Sequence, residues 1–235
     1  MKRAALALLL ACTASSAIAQ ETCRQALALG LDVSGSVDAR EYRQQLEGLA
    51  TALGSPAVRA ALFESPEAPV EFLVYEWSGP RDQLTLVPWT RIAKPTDLDR
   101  VIEQLTTTER RTEATPGTAL GVAVLHGASL LAQRAHCWKA TLDISGDGKS
   151  NLGPRPRTLK PRLSAQGVTV NALVIAPADQ GNPKESTVDL SSYFSAEVIV
   201  GPDAFVEVSA GFADYAATME RKLLRELEGL VLSSR

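Results

Sequence analysis

Apolar residues recur along the chain with two spacings. Short continuous apolar runs, such as residues 25–33 and 168–175, are typical of strands buried on both faces of a parallel sheet. Stripes with a helical repeat lie between them, and one begins where Asp38 and Glu41 form a capping pattern. The predicted strands cover 25–33, 70–77, 83–89, 139–145, 168–175 and 196–200; the predicted helices cover 38–53, 96–105, 118–135, a short segment near Pro161, and 212–230.

This alternation predicts an α/β fold with a doubly wound, mostly parallel six-stranded sheet in one domain over residues 20–235. The turn at residues 78–81 is short, so the strands on either side form a hairpin, which makes one edge strand antiparallel. Residues 106–117 and 177–192 are predicted to be irregular. Ligands of such sheets bind outside the carboxyl ends of the strands. We therefore look for functional residues at that edge.

The N-terminus has the pattern of a secretory signal peptide. Met1-Lys2-Arg3 precedes an apolar run, and Ala17-Ile18-Ala19 is a small-residue cleavage motif, which predicts a signal peptide over 1–19 with cleavage after Ala19. A lipid anchor at Cys12 is less favoured because only eleven residues precede it. We expect a periplasmic or secreted protein. No later apolar stretch is long enough to span a bilayer, and the net charge of −3 does not indicate nucleic-acid binding.

Carboxylate and hydroxyl side chains cluster at three predicted strand-to-helix junctions. Asp32, Ser34 and Ser36 follow the first strand, Thr118 begins a helix, and Asp147 follows the fourth strand. Oxygen donors of this kind suit Mg²⁺, and Mn²⁺ equally; Ca²⁺ is less favoured because it takes more carboxylates. Asp and Ser also cap helices and shape turns, which is the structural alternative for each of these residues.

These residues resemble the metal-ion-dependent adhesion site (MIDAS) of von Willebrand factor A (VWA) domains, which begins with a DxSxS motif. The resemblance implies a divalent cation bound by Asp32, Ser34, Ser36, Thr118 and Asp147, with an Asp or Glu of a partner protein or peptide completing its shell. The sequence departs from the pattern where many relatives carry threonine before the aspartate. Gly146 stands there, which implies a weaker hydrogen bond beside the metal.

The chain also resembles, more narrowly, a family of secreted bacterial proteins within this superfamily that implies the fold but no activity. Five segments carry that likeness: DVSGS at 32–36, EWSGPRDQ at 76–83, VPWT at 87–90, ISGDG at 144–148 and GPDAF at 201–205. In the VWA sheet the first and fourth strands are neighbours. Cys23 and Cys137 precede those strands, so the resemblance implies a structural disulfide between them, with a stabilisation of roughly 4 kcal/mol.

Other polar residues have mainly structural interpretations. Asp143 is expected to be a satisfied buried carboxylate, and Glu76 either anchors a loop or supports the metal site. His126 is expected on the surface and His136 at the opposite end from the site, so neither a zinc site nor a histidine-based triad is predicted. A basic run is either a solvated face or a positive rim for acidic partners; it comprises Lys149, Arg155, Arg157, Lys160 and Arg162.

We therefore predict a non-enzymatic binding module that grips an acidic group of a partner through its metal. A metal-dependent hydrolase, for example one acting on phosphate esters, is the enzymatic alternative. It has less support because no carboxylate is placed as a nucleophile and no histidine as a general base. A structural domain with an incidental ion is the third possibility.

Overall fold

Six strands form one sheet, with helices on both of its faces. The structure, a computed structural model, describes residues 22–111, 114–176 and 186–227. The strands are β1 (Gln25–Asp32), β2 (Val70–Trp77), β3 (Gln83–Ile92), β4 (Ala140–Gly146), β5 (Val168–Ile175) and β6 (Val206–Ser209). The helices are α1 (Ala39–Gly54), α2 (Pro56–Leu62), α3 (Pro95–Thr107), α4 (Leu120–Leu131), α5 (Lys160–Ala165), α6 (Thr187–Tyr193) and α7 (Tyr215–Leu227).

The sheet has the order β3-β2-β1-β4-β5-β6, and β3 is the antiparallel strand. This confirms the predicted doubly wound α/β fold with one antiparallel edge strand. The chain turns from β1 to β2 on one side and reaches β4 on the other. The strand order therefore reverses between β1 and β4, which places a crevice at their carboxyl ends.

Each face of the sheet has its own hydrophobic core. The apolar residues of β1 alternate between the faces: Leu27, Leu29 and Leu31 pack with α1, α2, α3 and α7, whereas Ala26 and Ala28 pack with α4, α5 and α6. Small residues on the second face let α4 approach the sheet closely. Burial on both faces explains why the strand sequences are continuously apolar rather than alternating.

The helix boundaries predicted from the sequence agree best with the structure where the sequence has a capping pattern. The prediction for α1 is confirmed, since Asp38 accepts hydrogen bonds from the backbone of Arg40 and Glu41 in a capping box. The short helix α2 was not predicted, although Ser55 caps it and Pro56 occupies its first turn. The predicted helix from Thr118 begins at Leu120 instead, with Thr118 in the preceding loop.

The prediction of a last strand at 196–200 is wrong. Phe194–Val198 forms a π-helical turn, Val200 makes one isolated bridge with Val170, and the sixth strand is Val206–Ser209, parallel to β5. Residues 196–200 are mainly apolar, and so short a run carries no period that separates helix from strand, so tertiary packing decided its structure. The predicted irregular segment 177–192 is helical from Thr187, where Ser186 provides the cap. Residues 177–185 lie outside the described residues.

A disulfide joins Cys23 and Cys137 at the amino-end edge of the sheet, as predicted. Their Cα atoms are 4.5 Å apart, and the residues form a parallel bridge just before β1 and β4. Beside it, Glu71 forms an ion pair with Arg134 Nε at 2.8 Å and lies 3.0 Å from His136 Nε2. His136 thus lies at the opposite end from the carboxyl-end crevice, as expected.

No helix in the described part of the chain is long and apolar enough to cross a membrane. The predicted signal peptide, residues 1–19, lies outside the described residues and stays a prediction.

Candidate metal-ion site

Three loops meet at the carboxyl ends of β1 and β4. The loop after β1 contacts the loop before α4, where Gly35 N donates to Pro116 O at 3.0 Å. The loop before α4 in turn contacts the loop after β4, where Asn151 N donates to Thr118 O at 3.0 Å. Backbone hydrogen bonds therefore link the three predicted segments to one another.

Two glycines allow this close approach. A Cβ atom on Gly35 would lie 2.7 Å from Pro116 Cβ, and one on Gly121 would lie 2.0 Å from Pro154 O. Both distances are far below van der Waals contact, and the second atom is backbone, which cannot swing away. The glycines therefore determine how tightly the loops close over the sheet.

Four of the predicted ligand side chains form one connected cluster. Ser34 Oγ lies 3.2 Å from Ser36 Oγ, and Ser36 Oγ donates to Asp147 Oδ1 at 2.7 Å. Ser34 N donates to Asp32 Oδ1 at 2.8 Å, which orients the carboxylate towards the hydroxyls. The structure thus brings Asp32, Ser34, Ser36 and Asp147 together from strands that are more than one hundred residues apart in sequence.

Asp32 is the most unusual member of this cluster. The residue is fully buried, and within the described part of the chain its Oδ2 atom has no hydrogen-bond partner. Burial, together with the charge of Asp147, raises the pKa of Asp32 to about 8. Burial also raises the pKa of Asp147, against the opposing effect of its hydrogen bond from Ser36. The cluster therefore concentrates negative charge that a cation would compensate.

Thr118, the fifth predicted ligand, is held against the loop after β4. Asn151 Oδ1 accepts a hydrogen bond from Thr118 N at 2.9 Å, and the side chain of Thr118 is nearly buried. Two residues that support the site were not predicted from the sequence. Asn151 could have been suspected, because it lies four residues after Asp147 in the same loop. Gln45 of α1 could not, because no local pattern marks it; its Nε2 donates to Asp32 O at 3.0 Å.

Gly146, where the sequence departs from the VWA pattern, packs against an aromatic ring. A Cβ atom there would lie 3.2 Å from Phe194 Cζ and 3.3 Å from Asp32 Oδ2. Phe194 begins the π-helical turn that the structure shows where a last strand was predicted, so the position of its ring could not be predicted from the sequence. Its ring occupies space next to Asp32 that a larger side chain at position 146 would need.

The remaining candidates are structural. Glu76 is buried, accepts from Tyr42 Oη at 3.1 Å and pairs with Arg111, so it anchors the loop before Thr118. Asp143 forms an ion pair with Lys222 Nζ at 2.7 Å, so its charge is compensated by a buried cation, as expected of a structural carboxylate.

The expectation for His126 is wrong: it is half-buried, packs against the Tyr75 ring at 5.0 Å, and burial lowers its pKa. The hydroxyl of Tyr75 donates to Ala123 O of α4 at 2.8 Å, and this hydrogen bond holds the ring beside His126.

A second group of potential ligands lies at the amino-end edge. Donor atoms of Cys23, Glu71, His136 and Cys137 are all within 4.8 Å of one another. The two sulfurs are bonded to each other, and Glu71 is paired with Arg134. This group therefore stabilises the edge and offers no thiolate to a metal.

The sheet order and the oxygen-lined edge define a VWA-type fold. Proximal thread matrix protein 1 from the mussel byssus is similar, at 17% identity and a TM-score of 0.61, over 88% of this chain and 48% of that one. The same protein with a zinc occupied MIDAS motif has 18% identity and a TM-score of 0.59, over 88% of this chain and 48% of that one. The pilus adhesin SpaC from Lactobacillus rhamnosus GG has 14% identity and a TM-score of 0.61, over 89% of this chain and 30% of the adhesin.

The chain belongs to the family described as "Protein of unknown function (DUF1194)", whose model matches residues 22–231. A comparison with curated protein sequences gave no match. The chain spans about half or less of the length of the solved chains that it resembles. At these identities the likeness to the solved structures concerns the fold.

Proposed function

We propose that this protein is a non-enzymatic binding module that holds a divalent cation and, through it, a carboxylate of a partner protein. The observation that carries the proposal is the buried, unpartnered Oδ2 of Asp32, within the described chain, beside the linked oxygens of Ser34, Ser36 and Asp147. An isolated buried carboxylate is costly, and a cation at this edge would compensate it.

The donor set fits a hard divalent ion. Asp32, Ser34, Ser36, Thr118 and Asp147 would hold it, and we propose Mg²⁺ or Mn²⁺, with Ca²⁺ less favoured because only two donors are carboxylates. When bound, the ion supplies an electrophilic position for an outside oxygen anion. The chain itself holds its ligands in place: Ser34 N orients the carboxylate of Asp32, and Asn151 fixes the backbone of Thr118.

Two further observations support a role in protein binding outside the cytoplasm. The similar solved proteins are named as a pilus adhesin and a byssus matrix protein, and one of them has zinc in its MIDAS motif. The disulfide between Cys23 and Cys137 is of the kind that persists in oxidising compartments, which agrees with the predicted signal peptide. We propose a periplasmic or secreted location.

The hydrolase alternative gains no support from the site. His136 lies at the opposite edge of the sheet, and His126 of α4 makes an edge-on contact with the Tyr75 ring. Neither is positioned beside Asp32 as a general base.

Metal titration tests the first half of the proposal. Isothermal titration calorimetry with Mg²⁺ and Mn²⁺ is expected to show one site in the wild type and none in Asp32→Ala or Asp147→Ala. Asp203→Asn, which removes one carboxylate near the amino end of β5, is the matched control and should bind as the wild type does. Equal binding by all four proteins would contradict the assigned ligands.

A pull-down from the native envelope in Mg²⁺ and then in EDTA tests the second half. Partners should be recovered with Mg²⁺ and lost with EDTA or in Asp32→Ala. Recovery of the same proteins under all conditions would instead support a structural domain with an incidental ion.

A further inference from the structure

A cavity of about 410 Å³ opens directly beside the candidate metal site. Ser150 and Asn151 line one side of it, and Tyr193 and Glu197 line the other. Ser150 N donates to Tyr193 Oη at 3.3 Å, so the two sides are tied together. The cavity is therefore formed by two segments of the folded chain that are hydrogen-bonded to each other.

The cavity and the proposed metal site share their walls. Asn151, which lines the cavity, accepts the backbone hydrogen bond of Thr118, and Ser150 Oγ donates to Thr118 O at 3.4 Å. Lys149, which lines the cavity, lies two residues after Asp147. An extended peptide advances at most about 3.5 Å per residue. If one carboxylate of a bound partner lies on the metal, a side chain a few residues along the same segment can therefore reach the cavity.

Arg155 contributes positive charge to the lining of the cavity. Among the described lining residues the one acidic side chain, Glu197, lies 3.1 Å from Arg157 Nε in an ion pair. The side chain of Arg155 is exposed and can follow a ligand. A guanidinium in this position recognises carboxylates by paired hydrogen bonds, which a lysine does less selectively.

We infer that this cavity is a second subsite for the partner, and that it takes an acidic side chain one to three residues away from the carboxylate on the metal. The inference rests on the proposed function and sharpens it: the partner presents two acidic residues in one extended segment. One residue binds the ion, and the other pairs with Arg155. The cavity thereby distinguishes a doubly acidic segment from the single carboxylates that are common on protein surfaces.

Labelled peptides with a Gly/Ser background test this subsite by fluorescence anisotropy. One set carries a single Asp, and the other carries a second Asp one, two or three residues away. In Mg²⁺ the best doubly acidic peptide is expected to bind the wild type about three- to tenfold more tightly than the single-Asp peptide. This gain should shrink at high salt because the subsite is partly exposed.

Arg155→Gln isolates the subsite. The variant should lose the gain from the second Asp, while its Mg²⁺ affinity and its binding of the single-Asp peptide stay within twofold of the wild type. Arg162→Gln, from the same basic run but outside the cavity lining, is the matched control and should keep the gain. Both side chains are exposed, so neither change is expected to affect folding.

The outcomes separate the two proposals. Mg²⁺-dependent binding in which the second Asp has no effect, or in which Arg155→Gln keeps its effect, overturns the subsite and leaves the proposed function standing. An absence of any Mg²⁺-dependent binding by every peptide contradicts the proposed function and the subsite together.

Discussion

Two fully buried aspartates occupy neighbouring central strands, and burial raises the pKa of both, to about 8 for Asp32 and about 7 for Asp143. They differ in whether a cationic side chain lies beside them. Asp143 of β4 has the ammonium of Lys222 at 2.7 Å, and the same ammonium lies 2.6 Å from Glu226. Asp32 of β1 has no cationic partner among the hydrogen bonds and ion pairs of the described chain, and its Oδ2 is unpartnered there. The fold thus compensates one buried acid with a cationic side chain of its own, whereas the described chain places no such cation beside the other.

A cationic partner within the fold therefore distinguishes a structural buried carboxylate from one that is a candidate for binding an ion. Burial alone would lower the pKa of Lys222, but Asp143 and Glu226 hold it above its ordinary value, so the ammonium stays charged and ties α7 to the sheet. At Asp32 burial and Asp147 act in the same direction and raise the pKa to about 8. An acid that a protein keeps buried without its own cation is a candidate for binding one.

The largest effect is expected from removing the internal cation. Lys222→Met leaves Asp143 and Glu226 buried together without an ammonium, and we expect a loss of about 3–5 kcal/mol in the free energy of unfolding. Urea denaturation measures it. The triple variant Lys222→Met, Asp143→Asn, Glu226→Gln should recover most of the loss, because no charge is then left unpaired. A loss below about 1 kcal/mol in the single variant would contradict the structural role of this ammonium.

Removing the disulfide tests whether the two ends of the sheet act independently. Replacing Cys23 and Cys137 by serine is expected to cost about 2–4 kcal/mol in the free energy of unfolding, because the bond closes a long loop. The Mg²⁺ dissociation constant should stay within twofold of the wild type, since the bond lies at the amino-end edge. A large loss of metal affinity in a folded double variant would show that the edges are coupled.

Binding of Mg²⁺ beside Asp32 should stabilise the folded protein. At a Mg²⁺ concentration one hundred times the dissociation constant, we expect a gain of about 2.7 kcal/mol, measured by denaturation with and without EDTA. Ser34→Ala should reduce this gain and Asp32→Asn should abolish it. A shift of the same size in Asp32→Asn would place the ion elsewhere.

The smallest effect concerns the apo protein and its pH dependence. Because the pKa of Asp32 is near 8 when folded and near 3.8 when unfolded, the folded state keeps a proton that the unfolded state releases between these values. Its contribution to stability is therefore lost as pH rises from about 4 to about 8. In EDTA at pH 8, Asp32→Asn should be about 1–3 kcal/mol more stable than the wild type, and near pH 4 the difference should vanish. An equal difference at both pH values would contradict the raised pKa.

Local signals in the sequence determined most of the fold. Apolar runs predicted the parallel strands β1, β2, β4 and β5 because a parallel sheet buries both of their faces, and the short turn at 78–81 predicted the antiparallel strand β3. The capping box at Asp38 marked the start of α1. The DxSxS segment, Thr118 and Asp147 were identified as one site through their resemblance to the MIDAS of VWA domains. The pattern of elements added that each of these segments lies at a strand-to-helix junction, where ligands of such sheets bind.

Only the tertiary structure decided what surrounds those residues. The apolar run at 196–200 has no period of its own, so packing made the preceding residues a π-helical turn and placed Phe194 against Gly146. The pairing of Asp143 with Lys222 joins positions 79 residues apart, and no local rule connects them. Which of two buried aspartates receives an internal cation is a matter of which helix packs over it, and that depends on the whole chain.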